Sequence, residues 1–179
     1  TIDSIRRVQI GVPAEECWGN TEYDNGNGAI MRIAPLSLLF YMNPNFLERV
    51  EMSKCYTELT HRHPRSITGS ILYIEILFRL FCNDSIEKAI KNAKFVFERD
   101  LEEDNVYRKE LKSYSRIFDK DFFKTQEEEI KSSGSVVDTL EAAIWCVGTT
   151  TNFKDAVLKA VNLGGDTDTI ASITGSIAG

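Results

Sequence analysis

The distribution of proline is the feature that most constrains the fold of this chain. All four prolines lie within the first 64 residues, and the 115 residues after Pro64 contain none. Because proline interrupts the interior of a helix, such a stretch favours long helices. Apolar residues recur there with the helical period, and no strand-like alternation lasts more than a few positions. We therefore predict an all-α protein, in which residues 1–179 form a single orthogonal multi-helix domain of about seven or eight helices.

Several of these helices can be placed along the chain. The apolar stripe from Ile67 to Phe81 predicts a central, mostly buried helix. A turn at residues 133–135 precedes a second helix, predicted from about Val136 to Val147, and Asn152 is a suitable N-cap for a third. An earlier helix is predicted to turn five side chains inward: Phe46, Leu47, Val50, Cys55 and Leu59. The charged stretch 98–131 is predicted to form solvated helix faces and loops, attached to the core by Phe118, Phe122 and Phe123.

The composition excludes several classes of protein. Charged residues make up 27% and hydrophobic residues 42% of the 179, which is typical of a globular chain. The net charge of −6 argues against nucleic acid as a partner, since such binders usually carry excess positive charge. No apolar run could span a membrane, and residues 1–7 lack the apolar core of a signal peptide. The four cysteines match neither a zinc site nor a redox pair, so we expect reduced thiols in a cytoplasmic protein.

The sequence GGDTDT at 164–169 is the first candidate for chemistry. Asp166 and Asp168 lie two positions apart, beside the hydroxyl of Thr169. Carboxylates this close repel each other unless a cation or protons relieve the charge, and hard oxygen ligands suit Mg²⁺, Mn²⁺ or Ca²⁺. The alternative is an ordinary helix N-terminus, where Asp and Thr are favoured by capping and by the helix dipole.

A glycine- and asparagine-rich loop is the second candidate. Asp24, Asn25, Gly26, Asn27 and Gly28 could form a nest of backbone N–H groups that holds phosphate, or an ordinary turn. Arg32 follows in an apolar stretch, where an arginine requires a partner. It is either part of a structural ion pair, which we favour, or a ligand for an anion.

The sequence THRHP at residues 60–64 is the third candidate, and it contains the only two histidines of the chain. We predict a polar corner between two helices. There His61 or His63 either hydrogen-bonds a ligand or stabilises the C-terminus of a helix.

Four segments together resemble the ADP-ribosylglycohydrolase family, which includes the dinitrogenase-reductase-activating glycohydrolases. They occur in the family's order: GNGAIMRIAPLSL at 26–38, LTHRHP at 59–64, GSVVDTLEAAIWC at 134–146, and FKDAVLKAVNLGGDTDTIASITGSIAG at 153–179. The last segment is long and specific. The resemblance covers most of the chain and is weakest over residues 83–130.

The resemblance implies an all-α fold and a hydrolase that removes ADP-ribose with a pair of Mg²⁺ ions, with Mn²⁺ as an alternative. Asp166, Asp168 and Thr169 would be the metal ligands, with the two aspartates in the catalytic centre. The loop from Asp24 to Gly28 would hold the phosphates and the nearby ribose, and His61 would contact the ADP-ribose. The partner would be an ADP-ribosylated protein or a small molecule that contains ADP-ribose, and we favour the arginine linkage.

One family feature is missing from these residues. Members carry a Thr-Asp-Asp run toward the amino terminus that completes the metal site, and no such run occurs here. We expect a member truncated at both ends, which could lack activity by itself and self-associate through surface that truncation exposes. The alternatives are a non-catalytic ADP-ribose-binding protein and a scaffold protein on the same fold.

Overall fold

A computed structural model describes residues 2–13, 16–17, 21, 23–41 and 45–179. Within these ranges the chain forms ten α-helices and no β-strand, so the predicted all-α class is confirmed. The helices are α1 (Ile2–Gln9), α2 (Ile30–Ile33), α3 (Leu36–Leu39), α4 (Phe46–Glu58), α5 (Pro64–Phe81), α6 (Ile86–Asp100), α7 (Val106–Glu110), α8 (Val136–Gly148), α9 (Phe153–Asn162) and α10 (Thr167–Ala178). Short 3-10 helices cover Leu111–Phe118, Phe122–Lys124 and Glu127–Glu129.

Helix α5 is the centre of the fold. Every residue from Ser66 to Phe78 is buried, and α4, α6, α7 and α8 all pack against this helix. It begins at Pro64, because the fixed φ of proline suits a first helical position. The central buried helix predicted from the apolar stripe is therefore confirmed, with its start at Pro64 rather than Ile67.

Helix α4 turns a partly polar face inward, so the apolar inward face predicted for this helix is wrong in part. Phe46 and Val50 are buried as expected, whereas three of the predicted inward residues are exposed: Leu47, Cys55 and Leu59. Arg49 is only 1% exposed, and its Nε donates to Glu75 Oε2 on α5 over 2.7 Å, which offsets the cost of burying its charge. The other carboxylate oxygen of Glu75 accepts from Arg79 Nε, also over 2.7 Å. The ion pair thus allows the charged side chain of Arg49 to lie in the core.

The charged stretch 98–131 consists of short helices joined by loops, which agrees with the predicted helix faces and loops. It holds the end of α6, helix α7 and the three 3-10 helices. Phe122 is 2% exposed, and Phe118 and Phe123 pack partly buried against the core. The three phenylalanines therefore anchor this stretch in the predicted way.

The last three helices form a packed group in which α10 lies against both α8 and α9. Asn152 caps α9 as predicted, since its side chain accepts from Asp155 N over 2.9 Å. Ile170, Ile173 and Ile177 bury one face of α10. Helix α10 also contacts α2, and near its start the hydroxyl of Thr169 lies 3.8 Å from the sulfur of Met31.

Three apolar side chains of α2 and α3 are exposed. Met31, Leu38 and Leu39 are 49%, 60% and 68% exposed, which makes an apolar patch at α2 and α3. Self-association stays a prediction, as does the predicted cytoplasmic location.

All four cysteines are free thiols, as expected. Across the ranges given above, no helix combines the length and the apolar character that a membrane crossing requires.

Candidate functional site

Two glycines direct the chain into the first turn of α10. Gly164 and Gly165 have φ of +77° and +66°, a region that side chains other than glycine rarely adopt. A Cβ at Gly165 would also overlap the carbonyl oxygen of Ser132. That oxygen accepts from Asp166 N over 3.2 Å, and Ser132 Oγ donates to Gly164 O. The segment before α8 therefore fixes the position of Asp166.

Asp166 stands at the N-cap position of α10, yet its side chain makes no capping hydrogen bond. Its Oδ2 accepts from Asn27 Nδ2 over 2.5 Å, and its Oδ1 accepts from the hydroxyl of Thr169 over 3.2 Å. Asn27 is 8% exposed and Thr169 is 3% exposed. The GGDTDT turn is thus a helix N-terminus, as the alternative predicted, but the Asp166 carboxylate faces the 24–28 loop instead of capping the helix.

The same loop is joined to the turn before α8. Gly26 and Ser135 form an isolated antiparallel bridge. Asn27 N donates to Gly134 O and Val136 N donates to Asn25 O, each over 3.0 Å. An ordinary surface turn is closed by local hydrogen bonds and does not require backbone hydrogen bonds to a segment more than 100 residues away. The loop is instead held in a fixed place beside the start of α10.

His61 lies over the loop at the corner between α4 and α5. A Cβ on Gly26 would be 3.6 Å from His61 Nε2, and His61 Nδ1 lies 2.8 Å from Thr60 Oγ1. Burial lowers the pKa of His61 to about 4, and the charge of Arg32 acts in the same direction. His61 is therefore neutral at physiological pH. The predicted polar corner is confirmed, and its first histidine faces the loop.

Arg32 and His63 have structural partners. Arg32 donates through Nη2 to Tyr56 O over 3.0 Å and to Thr60 Oγ1 over 2.6 Å. The predicted ion pair of Arg32 is not found among the described residues, because these partners are neutral oxygens and Arg32 is exposed. The anion-ligand alternative stays a prediction. His63 is 7% exposed and caps α5, with Nδ1 accepting from Arg65 N over 3.2 Å.

Asp24 begins the loop as an ionised group. Its Oδ2 accepts from the backbone N of Thr21 over 2.9 Å and from the Thr21 hydroxyl over 2.6 Å. These two hydrogen bonds lower the pKa of Asp24, because they stabilise the carboxylate form. Asp24 thus shapes the loop entry through Thr21.

The donor set fits a hard cation in kind. Asp168 is exposed in the first turn of α10, and its carboxylate accepts no hydrogen bond among the described residues. With Asp166 and the Thr169 hydroxyl it supplies the oxygen ligands that Mg²⁺ prefers. No group of three or more His, Cys, Asp or Glu side chains suited to a metal occurs in the part of the chain that the structure describes. These three oxygen donors are therefore of the right chemical kind for Mg²⁺, but they are few.

Sequence reasoning missed two residues that hold the site together. Thr139 is fully buried on α8, where its Oγ1 accepts from Asn27 Nδ2 over 2.8 Å and donates to Ser133 O over 3.1 Å. Ser132 holds the GGDTDT turn as described above. Thr139 lies inside the GSVVDTLEAAIWC segment, which was the one signal available, but a threonine in a helix does not by itself indicate a site.

The fold has a solved counterpart. A chain titled "ADP-ribosylglycohydrolase-related protein complex" superposes with a TM-score of 0.75 and 22% sequence identity. The match covers 99% of this chain and 56% of that one. This likeness shows that the two share their fold.

Sequence comparison gives the family. The ADP-ribosylglycohydrolase family profile matches residues 1–179, so this chain belongs to that family. It is 37% identical over 163 residues to the ADP-ribosylarginine hydrolase Tri1 of Serratia proteamaculans (strain 568), covering 90% of this chain and 40% of that protein. It is 30% identical over 159 residues to the ADP-ribosyl-[dinitrogen reductase] glycohydrolase of Rhodospirillum rubrum, covering 89% and 47%. The chain thus spans less than half the length of these two curated relatives.

Proposed function

We propose that this chain carries the ADP-ribose-binding part of a hydrolase that releases ADP-ribose from a modified protein side chain. The hydrogen bond between Asn27 and Asp166 is the observation that carries the proposal. It joins the loop proposed to hold phosphate to the acidic turn proposed to hold metal, across 139 positions of sequence. Two candidate motifs with separate chemistry thus form one site.

In this proposal the 24–28 loop and His61 bind the diphosphate and the nearby ribose. Backbone N–H groups of a glycine-rich turn suit a phosphate without adding a positive charge. Glycine at position 26 keeps the backbone open toward His61 Nε2, since any side chain there would fill the gap between them. A neutral His61 donates or accepts a hydrogen bond without the cost of burying an imidazolium.

Asp166, Asp168 and Thr169 would hold Mg²⁺. When bound, the ion supplies a Lewis acid that polarises a hydroxyl or a water at the bond to be cleaved. Asn27 and Thr169 orient the Asp166 carboxylate from two sides, and Asp168 presents an exposed carboxylate in the first turn of the helix. The chain's own part is thus to position two negative charges beside the bound ribose.

The linkage to arginine is the favoured substrate within the proposal. Two relatives, from Serratia proteamaculans and Pseudomonas putida (strain GB-1), carry the name ADP-ribosylarginine hydrolase Tri1, at 37% and 31% identity. Other relatives are named ADP-ribosylhydrolase ARH3, with the human protein at 27% identity over 183 residues. The higher identity to the arginine-named pair supports the arginine linkage.

Calorimetric titration of ADP-ribose into the chain, with and without Mg²⁺, tests the proposal. We expect metal-dependent binding that weakens about tenfold or more in Asp168→Asn. The matched control is Asp155→Asn, because Asp155 lies in the first turn of α9 just as Asp168 lies in the first turn of α10. Equal binding by both variants and the unmodified chain would contradict the roles assigned here.

A non-catalytic ADP-ribose-binding protein is the second candidate. It is favoured by the small donor set, since the described residues hold no cluster of three or more metal-binding side chains. Incubation with an ADP-ribosylated arginine peptide separates the two candidates. Release of ADP-ribose supports the hydrolase, and tight binding without release supports the second candidate.

A further inference from the structure

A chain of three side chains leads from the α2 segment to the candidate site. Arg32 Nη2 lies 2.6 Å from Thr60 Oγ1, which lies 2.8 Å from His61 Nδ1. Nε2 of the same imidazole faces Gly26 in the 24–28 loop. The state of the imidazole therefore depends on what Thr60 does with its single proton.

The donors and acceptors available to these groups favour one arrangement. A guanidinium only donates, so Thr60 Oγ1 is the acceptor in its contact with Arg32. The 2.8 Å contact with His61 Nδ1 fits either direction, because the hydroxyl also has a second lone pair. Donation by the hydroxyl is the direction that uses its one proton, since His61 Nδ1 is the acceptor in reach among the described residues. A neutral imidazole that accepts at Nδ1 carries its proton at Nε2.

We propose that Arg32 and Thr60 are positioning residues that hold His61 in the tautomer protonated at Nε2, so that it is a fixed hydrogen-bond donor over the 24–28 loop. An oxygen acceptor of a bound ligand, such as a diphosphate oxygen, matches this donor. The proposal builds on the ligand assigned to the site under the proposed function. The tautomer itself is a property of the chain without any ligand.

Two further observations agree with this arrangement. Arg32 Nη1 also donates to Gly28 O over 3.4 Å, so the residue that orients Thr60 also contacts the end of the loop. The lowered pKa of His61, caused first by burial, keeps the imidazole neutral, and a tautomer can be chosen only in the neutral form. Among the described residues, the charged groups that act on this pKa are Arg32, which lowers it, and Asp24, which raises it.

Long-range ¹H–¹⁵N correlation spectra of the ligand-free chain at neutral pH test the proposal directly. The chain has two histidines, so His61→Gln assigns the signals by loss of one set. We expect the His61 Nδ1 resonance in the unprotonated region and the Nε2 resonance in the protonated region. The reverse tautomer, or a mixture of the two, in the unmodified chain would overturn the proposal without any variant.

Two substitutions at position 60 separate positioning from packing. Thr60→Ser keeps the hydroxyl, and we expect it to keep the tautomer and to bind ADP-ribose within about twofold of the unmodified chain. Thr60→Val keeps the shape and removes the hydroxyl, and we expect mixed tautomers with binding weakened about five- to tenfold. An unchanged His61 spectrum in Thr60→Val would exclude the role of Thr60.

Two substitutions of His61 test its donor role toward ADP-ribose separately from its tautomer. His61→Gln can place an N–H near the position of Nε2, whereas His61→Ala removes it, so we expect Gln to bind ADP-ribose more tightly than Ala. If the unmodified chain binds no ADP-ribose, the proposed function fails, and the spectra alone still decide the tautomer. Equal loss in His61→Gln and His61→Ala would contradict the donor role.

Discussion

Thr139 supports the Asn27 side chain from the interior of the fold, with the Asn27 amide nitrogen 2.8 Å from the Thr139 hydroxyl oxygen. The same amide nitrogen donates its other proton to Asp166. Both protons of the amide are thus used, one toward the core and one toward the candidate metal ligand. A buried hydroxyl on α8 therefore sets the direction of a carboxylate at the start of α10.

Replacing that hydroxyl tests its role in positioning. In Thr139→Val, both Asn27 and the Ser133 carbonyl lose a buried partner, so we expect a loss of about 1–3 kcal/mol in the free energy of unfolding. We also expect weaker Mg²⁺-dependent ADP-ribose binding, by calorimetry, because Asn27 no longer holds Asp166. Thr139→Ser is the control, and it should retain most of both properties. If Thr139→Val binds as well as Thr139→Ser, the positioning role is wrong.

The two glycines before α10 offer a test of how the turn is built. Gly164→Ala meets no atom within 4 Å, so it adds only the strain of a positive φ, about 1 kcal/mol. Gly165→Ala adds the same strain and also the overlap with the Ser132 carbonyl. We expect urea denaturation to show a loss larger by about 1–3 kcal/mol for Gly165→Ala. Similar losses in the two variants would contradict the close approach of Ser132 to Gly165.

The sequence predicted the long elements well and the site only in pieces. The helix from Val136 to about Val147 and the Asn152 cap follow from local pattern and local hydrogen bonding, and both were found. The resemblance pointed to the 24–28 loop, His61 and the 166–169 turn. What joins them is the Gly26–Ser135 bridge and the bonds of Thr139, which link residues far apart in sequence. Periodicity and capping rules carry no information about such contacts.

Helix α4 shows why an inward face can be misjudged. Counting apolar side chains placed Leu47 and Leu59 inside, where the structure has Arg49 and Thr57 instead. A buried arginine is favourable only with a buried partner, and that partner, Glu75, lies 26 positions later on α5. The pairing of two helices, rather than the pattern of one, decides which face of α4 is covered.

The buried pair of Arg49 and Glu75 should dominate the stability of the α4–α5 contact. In Glu75→Ala, Arg49 stays buried at the rings of Phe46 and Phe78 without its carboxylate. We expect a loss of about 3–5 kcal/mol in the free energy of unfolding, measured by urea denaturation. As a control, Asp121→Ala removes an exposed pair with Lys124, and we expect less than about 1 kcal/mol. Comparable losses in the two variants would exclude a special role for the buried pair.

Two groups, the buried Glu141 and the half-buried His61, should give the stability of the chain opposite dependences on pH. Burial raises the pKa of Glu141 to about 7, although Arg116 Nη1 lies 3.4 Å from its carboxylate. Between its ordinary value of 4.5 and about 7, the folded chain binds more protons at this residue, so the stability that it contributes falls as pH rises. His61, with its pKa lowered from 6.5 to about 4, is the reverse, and its contribution falls as pH drops through that range.

Glutamine substitutions at both positions separate these contributions. With Glu141→Gln we expect stability relative to the unmodified chain to rise by about 1–3 kcal/mol between about pH 5 and pH 8, because a buried charge no longer forms. With His61→Gln we expect relative stability to rise in the other direction, as pH falls from about 6.5 toward 4, because an imidazole that resists protonation is gone. Urea denaturation across this pH range measures both. Relative stabilities that do not change with pH, or that change with the same sign in the two variants, would contradict the pKa shifts assigned to Glu141 and His61.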